Sequence, residues 1–278
     1  MEDFNFKETC RRLRKEGHTL SQIVLITGRP KTSVHFHISD IPLNPKTKER
    51  VRKESGLRIR EYSIARKGKS TKSFNRFSKW TPDLVLLLSH LMFDGEITRG
   101  VCSYNNRSLS LIKRVEGLMK KLYEYEPKRY VEKQTGVTRI AYHNVEMGAY
   151  LQKRATELCK VVHTLPPTHK KEFLRAFFDD EGCMDFRPKR NKRNIRGYQK
   201  NREVLIIIEK LLKDLGIDAH IEEPNEVVIS KKENLGKFQK EIDFSLGVRV
   251  NGNRTNSTWK KDMEKSLLLS MAIDSYKS

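Results

Sequence analysis

Leu87 to Gly95 and Leu174 to Gly182 are apolar helical runs that close in the same way, on an acid followed by glycine. The acids are Asp94 and Glu181, 87 positions apart, the length of one small α/β unit. Glycine just past a helix end is ordinary. An acid there is not, because the C-terminus of a helix carries partial negative charge and prefers cations. Two such helices side by side would bring two carboxylates together. Paired carboxylates bind a divalent cation, Mg²⁺ or Mn²⁺, and leave its other positions to water and phosphate oxygens. That is the chemistry of phosphodiester hydrolysis.

The charge balance agrees. The chain has 278 residues and a formal net charge of +21, which asks for a polyanionic partner. Residues 1–80 hold 20 Lys and Arg against 8 Asp and Glu, so more than half of the excess lies in under a third of the length. A membrane surface is not the expected partner, since there is no long apolar run, signal sequence or lipidation site. The four cysteines, Cys10, Cys102, Cys159 and Cys183, form no Cys-x-x-Cys pair. A zinc site or disulfide framework is therefore not expected, and a cytoplasmic location is.

The two runs resemble the motif of the LAGLIDADG homing endonucleases. Leu174 to Gly182 aligns with it without gaps, with small Ala176 at the helix-contact position and Glu181 at the catalytic acid. Leu87 to Gly95 keeps the acid and the glycine, with Ser89 at the contact position. Met92 and Phe93 depart from the motif, which usually carries a small residue before the acid. The resemblance implies a saddle whose strands lie in the major groove of duplex DNA. It implies one acid for each strand of the duplex, and a lysine near the end of the fourth strand that polarises the attacking water. Lys231 or Lys232 lies there in the second repeat, His143 or Asn144 in the first, and Lys231 is the one carried over.

The elements that must position these acids can be read independently. Thr81-Pro82-Asp83 opens the first motif helix with an N-cap, a proline at the first turn and an acid. Leu165-Pro166-Pro167-Thr168 opens the second. After each comes the same order: two strands, a helix, two strands, a helix. The closing helices also match, Val145 to Tyr150 against Glu233 to Phe238, with Gly148 and Gly236 in register. One αββαββα unit is thus read as duplicated, over 81–162 and 163–243. A helix near 108–124 should bury Leu109, Ile112, Val115, Leu118 and Met119. An irregular stretch at 251–257 and a helix near 259–274 make up a C-terminal extension, 244–278.

Ahead of the repeats, Thr19 and Gln22 form a capping box and Gly28 ends the helix it opens. A third helix begins at Lys31. Helix, glycine turn, helix is the helix-turn-helix order, here in residues 1–45. Val34 and Ile38 should face the core, leaving Lys31, Thr32, Ser33, His35 and His37 for phosphates and base edges. A basic helix at 46–66 and a lysine-rich linker at 67–80 follow.

The expected fold class is α+β: a duplicated αββαββα saddle preceded by a small all-α helix-turn-helix domain. Arg187, Lys189, Arg190, Lys192, Arg193 and Arg196 fill the expected loop between the first two strands of the second repeat. Such a run repels itself without a polyanion. Asp179, Asp180 and Asp185 stand near Glu181 as supporting or solvent-facing groups. The leading expectation is a site-specific, metal-dependent double-stranded DNA endonuclease of the homing type, a monomer with internal pseudo-two-fold symmetry. The rivals are a non-cleaving transcription regulator on the same scaffold and an RNA-splicing maturase, since a basic saddle can bind RNA. Intein excision is not expected, because Met1 leads directly into the helix-turn-helix.

Overall fold

The computed structural model describes residues 2–66, 73–98, 100–250 and 263–276. The chain divides into two compact units, Met1–Ser70 and Thr71–Ser278. In the first, α1 (Glu2–Lys15), α2 (Leu20–Thr27) and α3 (Lys31–Ile38) close over Cys10, Leu13, Ile23, Val34 and Ile38. The capping box forms: Gln22 N donates to Thr19 Oγ1 at 3.3 Å, and Thr19 N to Gln22 Oε1 at 2.8 Å. Gly28 turns the chain at φ 65°, where a side chain would be strained. α4 (Pro45–Arg66) has almost no apolar face. Its exposed ion pairs one turn apart, such as Lys53 with Glu49 at 3.1 Å, contribute only tenths of a kcal/mol each, about 0.3–0.5.

The second unit begins earlier than the sequence suggests. Of the expected linker, 67–72 lie outside the described residues, and 73–80 are not a tether. Phe74, Phe77 and Trp80 pack on the first repeat. The rings of Phe74 and Phe77 meet Tyr123 edge-on at 6.1 and 5.7 Å. The Arg154 guanidinium lies 3.6 Å from the centre of the Trp80 ring. Three aromatics in so short a segment are worth more buried than as a solvated spacer.

The repeats follow in the expected order. The first is α5 (Pro82–Phe93), β1 (Gly95–Ile97), β2 (Cys102–Asn106), α6 (Leu109–Tyr123), β3 (Lys128–Val131), β4 (Thr138–Tyr142) and α7 (Val145–Val161). The second is α8 (Pro167–Glu181), β5 (Gly182–Arg187), β6 (Lys192–Tyr198), α9 (Arg202–Asp214), β7 (Ala219–Glu222), β8 (Glu226–Ile229) and α10 (Lys232–Glu241). Each builds an antiparallel four-stranded sheet in the same order, β1-β2-β4-β3 and β5-β6-β8-β7. The fold is α+β, with one αββαββα unit present twice. In α6 the apolar face is Leu111, Ile112, Val115, Leu118, Met119 and Leu122, whereas Leu109 at the first turn is exposed.

α5 and α8 pack against each other, with Ser89 and Ala176 both fully buried. Bulky Phe93 does not prevent this, because its ring lies edge-on to Phe173 and Phe177 at 5.5 and 5.2 Å. Each motif helix passes straight into the first strand of its sheet. Gly182 has φ −91°, so its role is not a left-handed helix cap. It is there because a Cβ would lie 2.8 Å from Phe178 Cα, and at Gly95 a Cβ would lie 2.6 Å from Leu91 O.

The expected irregular stretch at 251–257 and the start of the last helix lie outside the described residues. The helix described is α11 (Lys265–Asp274). Before it, residues 244–250 fold back, and Arg249 bridges Glu264 in antiparallel fashion.

Candidate functional site

Asp94 caps α5 and Glu181 is the last residue of α8. Because the two helices pack together, Glu181 lies near enough to Asp94 for its charge to act on it. Burial, with the charges of Asp180 and Glu181, pushes the Asp94 carboxyl up to about 7. Burial, with Asp180, pushes Glu181 up to about 7. Asn106 donates to Asp94 Oδ2 at 2.6 Å and fixes its orientation. Among the described residues no group of three or more His, Cys, Asp or Glu side chains is set to hold a metal ion. Two partly open carboxylates with oxygen donors only fit a hard cation such as Mg²⁺ or Mn²⁺, which would keep several waters.

A buried network lies behind these acids. The side chains of His90 and Asp180 are both fully buried and paired, Nδ1 to Oδ2, at 2.9 Å. Tyr104 donates to Asp180 Oδ1 at 2.5 Å, and Asn106 Nδ2 approaches the Tyr104 oxygen at 3.2 Å. A chain of polar contacts therefore runs from Asp94 through Asn106 and Tyr104 to Asp180 and His90. Asp179 is also buried, held by Arg114 of the first repeat at 2.8 Å and by Ser245 N at 2.9 Å. Of the two readings open for Asp179 and Asp180, the structure gives supporting groups and not solvent-facing ones: each ties the second motif helix to the first repeat. Asp185 pairs with Arg187 and Arg196.

The six cations expected in one loop divide among strands and turn. Arg187 ends β5, and Lys192, Arg193 and Arg196 lie in β6, so only 188–191 form the connection, with Lys189 and Arg190 exposed in it. Strand alternation then sorts the cations by face. Arg187 pairs across with Lys192, and Cys183 with Arg196, on the face away from the helices. Arg193 stands opposite Phe186 on the other face. There its guanidinium donates to Ser275 Oγ at 2.6 Å and lies 4.7 Å from the centre of the Tyr276 ring. Arg193 is an anchor for the C-terminal segment, not a member of the outer face. In the first sheet the corresponding face carries Lys128, Tyr130 and Arg139, which no local run of charge singles out.

In the N-terminal unit Val34 and Ile38 are buried, and Lys31, Thr32, Ser33 and His35 are exposed on α3. His37 departs from the expectation. Its ring packs edge-on against Phe6 at 5.4 Å, so it is half-buried against α1.

Residues 168–243 match the family described as LAGLIDADG-like domain. Among solved structures, the homing endonuclease I-DmoI in complex with DNA and Mn aligns at 17% identity and a TM-score of 0.46, covering 59% of this chain and 98% of that one. The N-terminal LAGLIDADG domain of DUF199/WhiA aligns at 20% identity and a TM-score of 0.46, covering 60% and 86%. No curated protein matches the sequence. Among the described residues no helix is long and apolar enough to cross a membrane.

Within the matched segment, Asp180 occupies the position before the acid where the LAGLIDADG motif usually carries a small residue. Here that extra carboxylate is received by Tyr104 and His90. Lys231 is exposed at the start of α10, with φ 72°. The lysine whose charge acts on both Asp94 and Glu181 is Lys265, on α11. Its ammonium is buried and donates to Asp179 O at 2.7 Å and Phe178 O at 3.2 Å. Burial lowers its pKa, against the charges of Asp179, Cys183, Asp180 and Asp94, which favour the ammonium. Lys265 lies outside both repeats, so no motif spacing marks it.

Proposed function

We propose that the protein is a site-specific endonuclease that hydrolyses phosphodiester bonds of duplex DNA, with Asp94 and Glu181 as its two metal-binding acids. One observation carries the reading. Two carboxylates from two repeats stand at the ends of packed helices, and burial with neighbouring carboxylates pushes each carboxyl up to about 7. Such a pair is poorly stable as a structural feature and is relieved by a divalent cation.

A bound divalent cation would supply an activated water and stabilise the leaving 3′ oxygen. The rest is done by the chain. Asn106 keeps one Asp94 oxygen fixed and leaves the other free. Tyr104 and His90 hold Asp180 inside the protein, so its charge favours cation binding without itself facing DNA. Lys192, Arg196 and Arg187 on the outer strand face, with Lys189 and Arg190 in the turn, contact the phosphate backbone. The N-terminal unit, 1–45, is a helix-turn-helix domain that adds a flanking contact through Lys31, Thr32, Ser33 and His35 of α3. The two repeats, 81–162 and 163–243, act as one monomer on the two strands.

The test is incubation of the full chain with a plasmid library and Mg²⁺, followed by sequencing of broken ends. Recurrent ends at one sequence support the reading. Tight duplex binding without broken ends under Mg²⁺ or Mn²⁺ would replace the nuclease with a regulator on the same scaffold.

A further inference from the structure

The C-terminal segment reaches both repeats at the acidic centre. Ser110 Oγ of α6 donates to Gly247 O at 3.3 Å, and Arg114 of the same helix contacts Ser245 and Asp179. Ser245 N in turn donates to Asp179 Oδ1. Beyond it, Lys265 N donates to Val248 O at 2.9 Å and Val250 N to Met263 O at 2.8 Å. This pairing points the Lys265 side chain at the end of α8, where its ammonium meets the carbonyls of Phe178 and Asp179, the residue as a whole being 7% exposed.

We propose that Lys265 is a positioning residue of the acidic centre, a built-in counterion that holds the last turn of α8, and so Glu181, in place before a divalent cation arrives. The inference rests on the reading of Asp94 and Glu181 as metal-binding acids. A buried ammonium is costly, and two carbonyl contacts alone do not offset the loss of water. What compensates it is the charge nearby: the negative end of α8 and the carboxylates of Asp94, Asp179, Asp180 and Glu181. The ammonium's own positive charge, which acts on both Asp94 and Glu181, repels a metal ion from the acids. Lys265 thus trades cation affinity for a centre that is assembled without metal. Arg114 cannot replace it, because that guanidinium is engaged by the Asp179 side chain rather than by the helix end.

The experiment is calorimetric titration of Mn²⁺ into the full chain at about pH 7.5, where a lysine cation and ionised carboxylates can coexist. Wild type, Lys265→Gln, Lys265→Met and Lys265→Arg are compared. Gln keeps donors to the two carbonyls without the charge, so it guards against loss of folding in the Met variant. Both neutral variants should bind Mn²⁺ tighter by about tenfold, the size expected for removing one nearby charge at an effective dielectric above 20. Arg should retain the wild-type affinity. The gain in melting temperature on adding Mn²⁺ should also be larger in the neutral variants. Unchanged or weaker Mn²⁺ affinity in both, with only a lower melting temperature, would make Lys265 a plain structural anchor and overturn the proposal. Absence of Mn²⁺ binding to the wild type would instead sink the reading of the acids on which it rests.

Discussion

Tyr104, on β2 of the first repeat, donates a 2.5 Å hydrogen bond to Asp180, on α8 of the second. The residues are 76 positions apart, and the bond joins a strand of the first repeat to the last turn of α8, one residue before Glu181. It makes the two repeats interdependent at their most charged point. Tyr104→Phe removes one donor from a carboxylate that is fully buried. The expected cost is about 1–3 kcal/mol of stability, read from denaturant unfolding. A loss of a few tenths or less would show that His90 alone satisfies Asp180.

The acids themselves should separate binding from chemistry. Glu181→Gln and Asp94→Asn keep size and hydrogen bonding but remove the charge that holds a cation. Each is expected to leave duplex affinity within about threefold of wild type, since the phosphate contacts that dominate affinity are untouched. Each should abolish double-strand cleavage, with nicked plasmid persisting in at least one variant. Persistent Mg²⁺-dependent double-strand cutting in both would assign the carboxylates a structural role only.

Stability without metal should fall as pH rises through neutrality. The Asp94 and Glu181 carboxyls are raised from the ordinary 3.8 and 4.5 to about 7 by burial and neighbouring carboxylates. Between those limits the folded protein holds protons that the unfolded chain has released. The unfolded state binds fewer protons there, so stability declines with rising pH across that window. Mg²⁺ binds the ionised form and should counter the decline above neutrality. Melting temperatures from about pH 5 to 8, with and without Mg²⁺, check the sign. The Asp94→Asn, Glu181→Gln double variant should show a flatter profile and little response to Mg²⁺.

Neighbouring cations on β6 should behave differently. Lys192 lies on the outer face and Arg193 is bound to Ser275 and Tyr276. Lys192→Ala should reduce the salt dependence of DNA binding by about one unit of slope, with melting unchanged. Arg193→Ala should lower the melting temperature and leave the slope alone. The reverse pattern would show that the outer face of the second sheet is not the DNA-binding face.

Local patterns carried a great deal of this. The two acid–glycine endings, the helices and strands of each repeat, the capping box at Thr19 and the apolar positions Val34 and Ile38 each depend on residues a few places apart. Helical and strand periodicities act over that range, so the sequence by itself determined the duplicated α+β fold and singled out Asp94 and Glu181 as the acids at the ends of its two motif helices. Charge composition determined the class of partner expected.

Tertiary structure decided what depends on distant pairing or on the phase of a strand. Once Lys192 begins β6, parity puts Arg193 and Arg196 on opposite faces, whereas a loop leaves them equivalent. Lys265 and Phe178 meet across 87 positions, and His90 and Asp180 across 90. No periodicity links such residues. They meet because buried polar groups must find partners wherever packing brings them, and the packing of α5 on α8 and of α11 on β5 and α10 joins elements far apart in the chain.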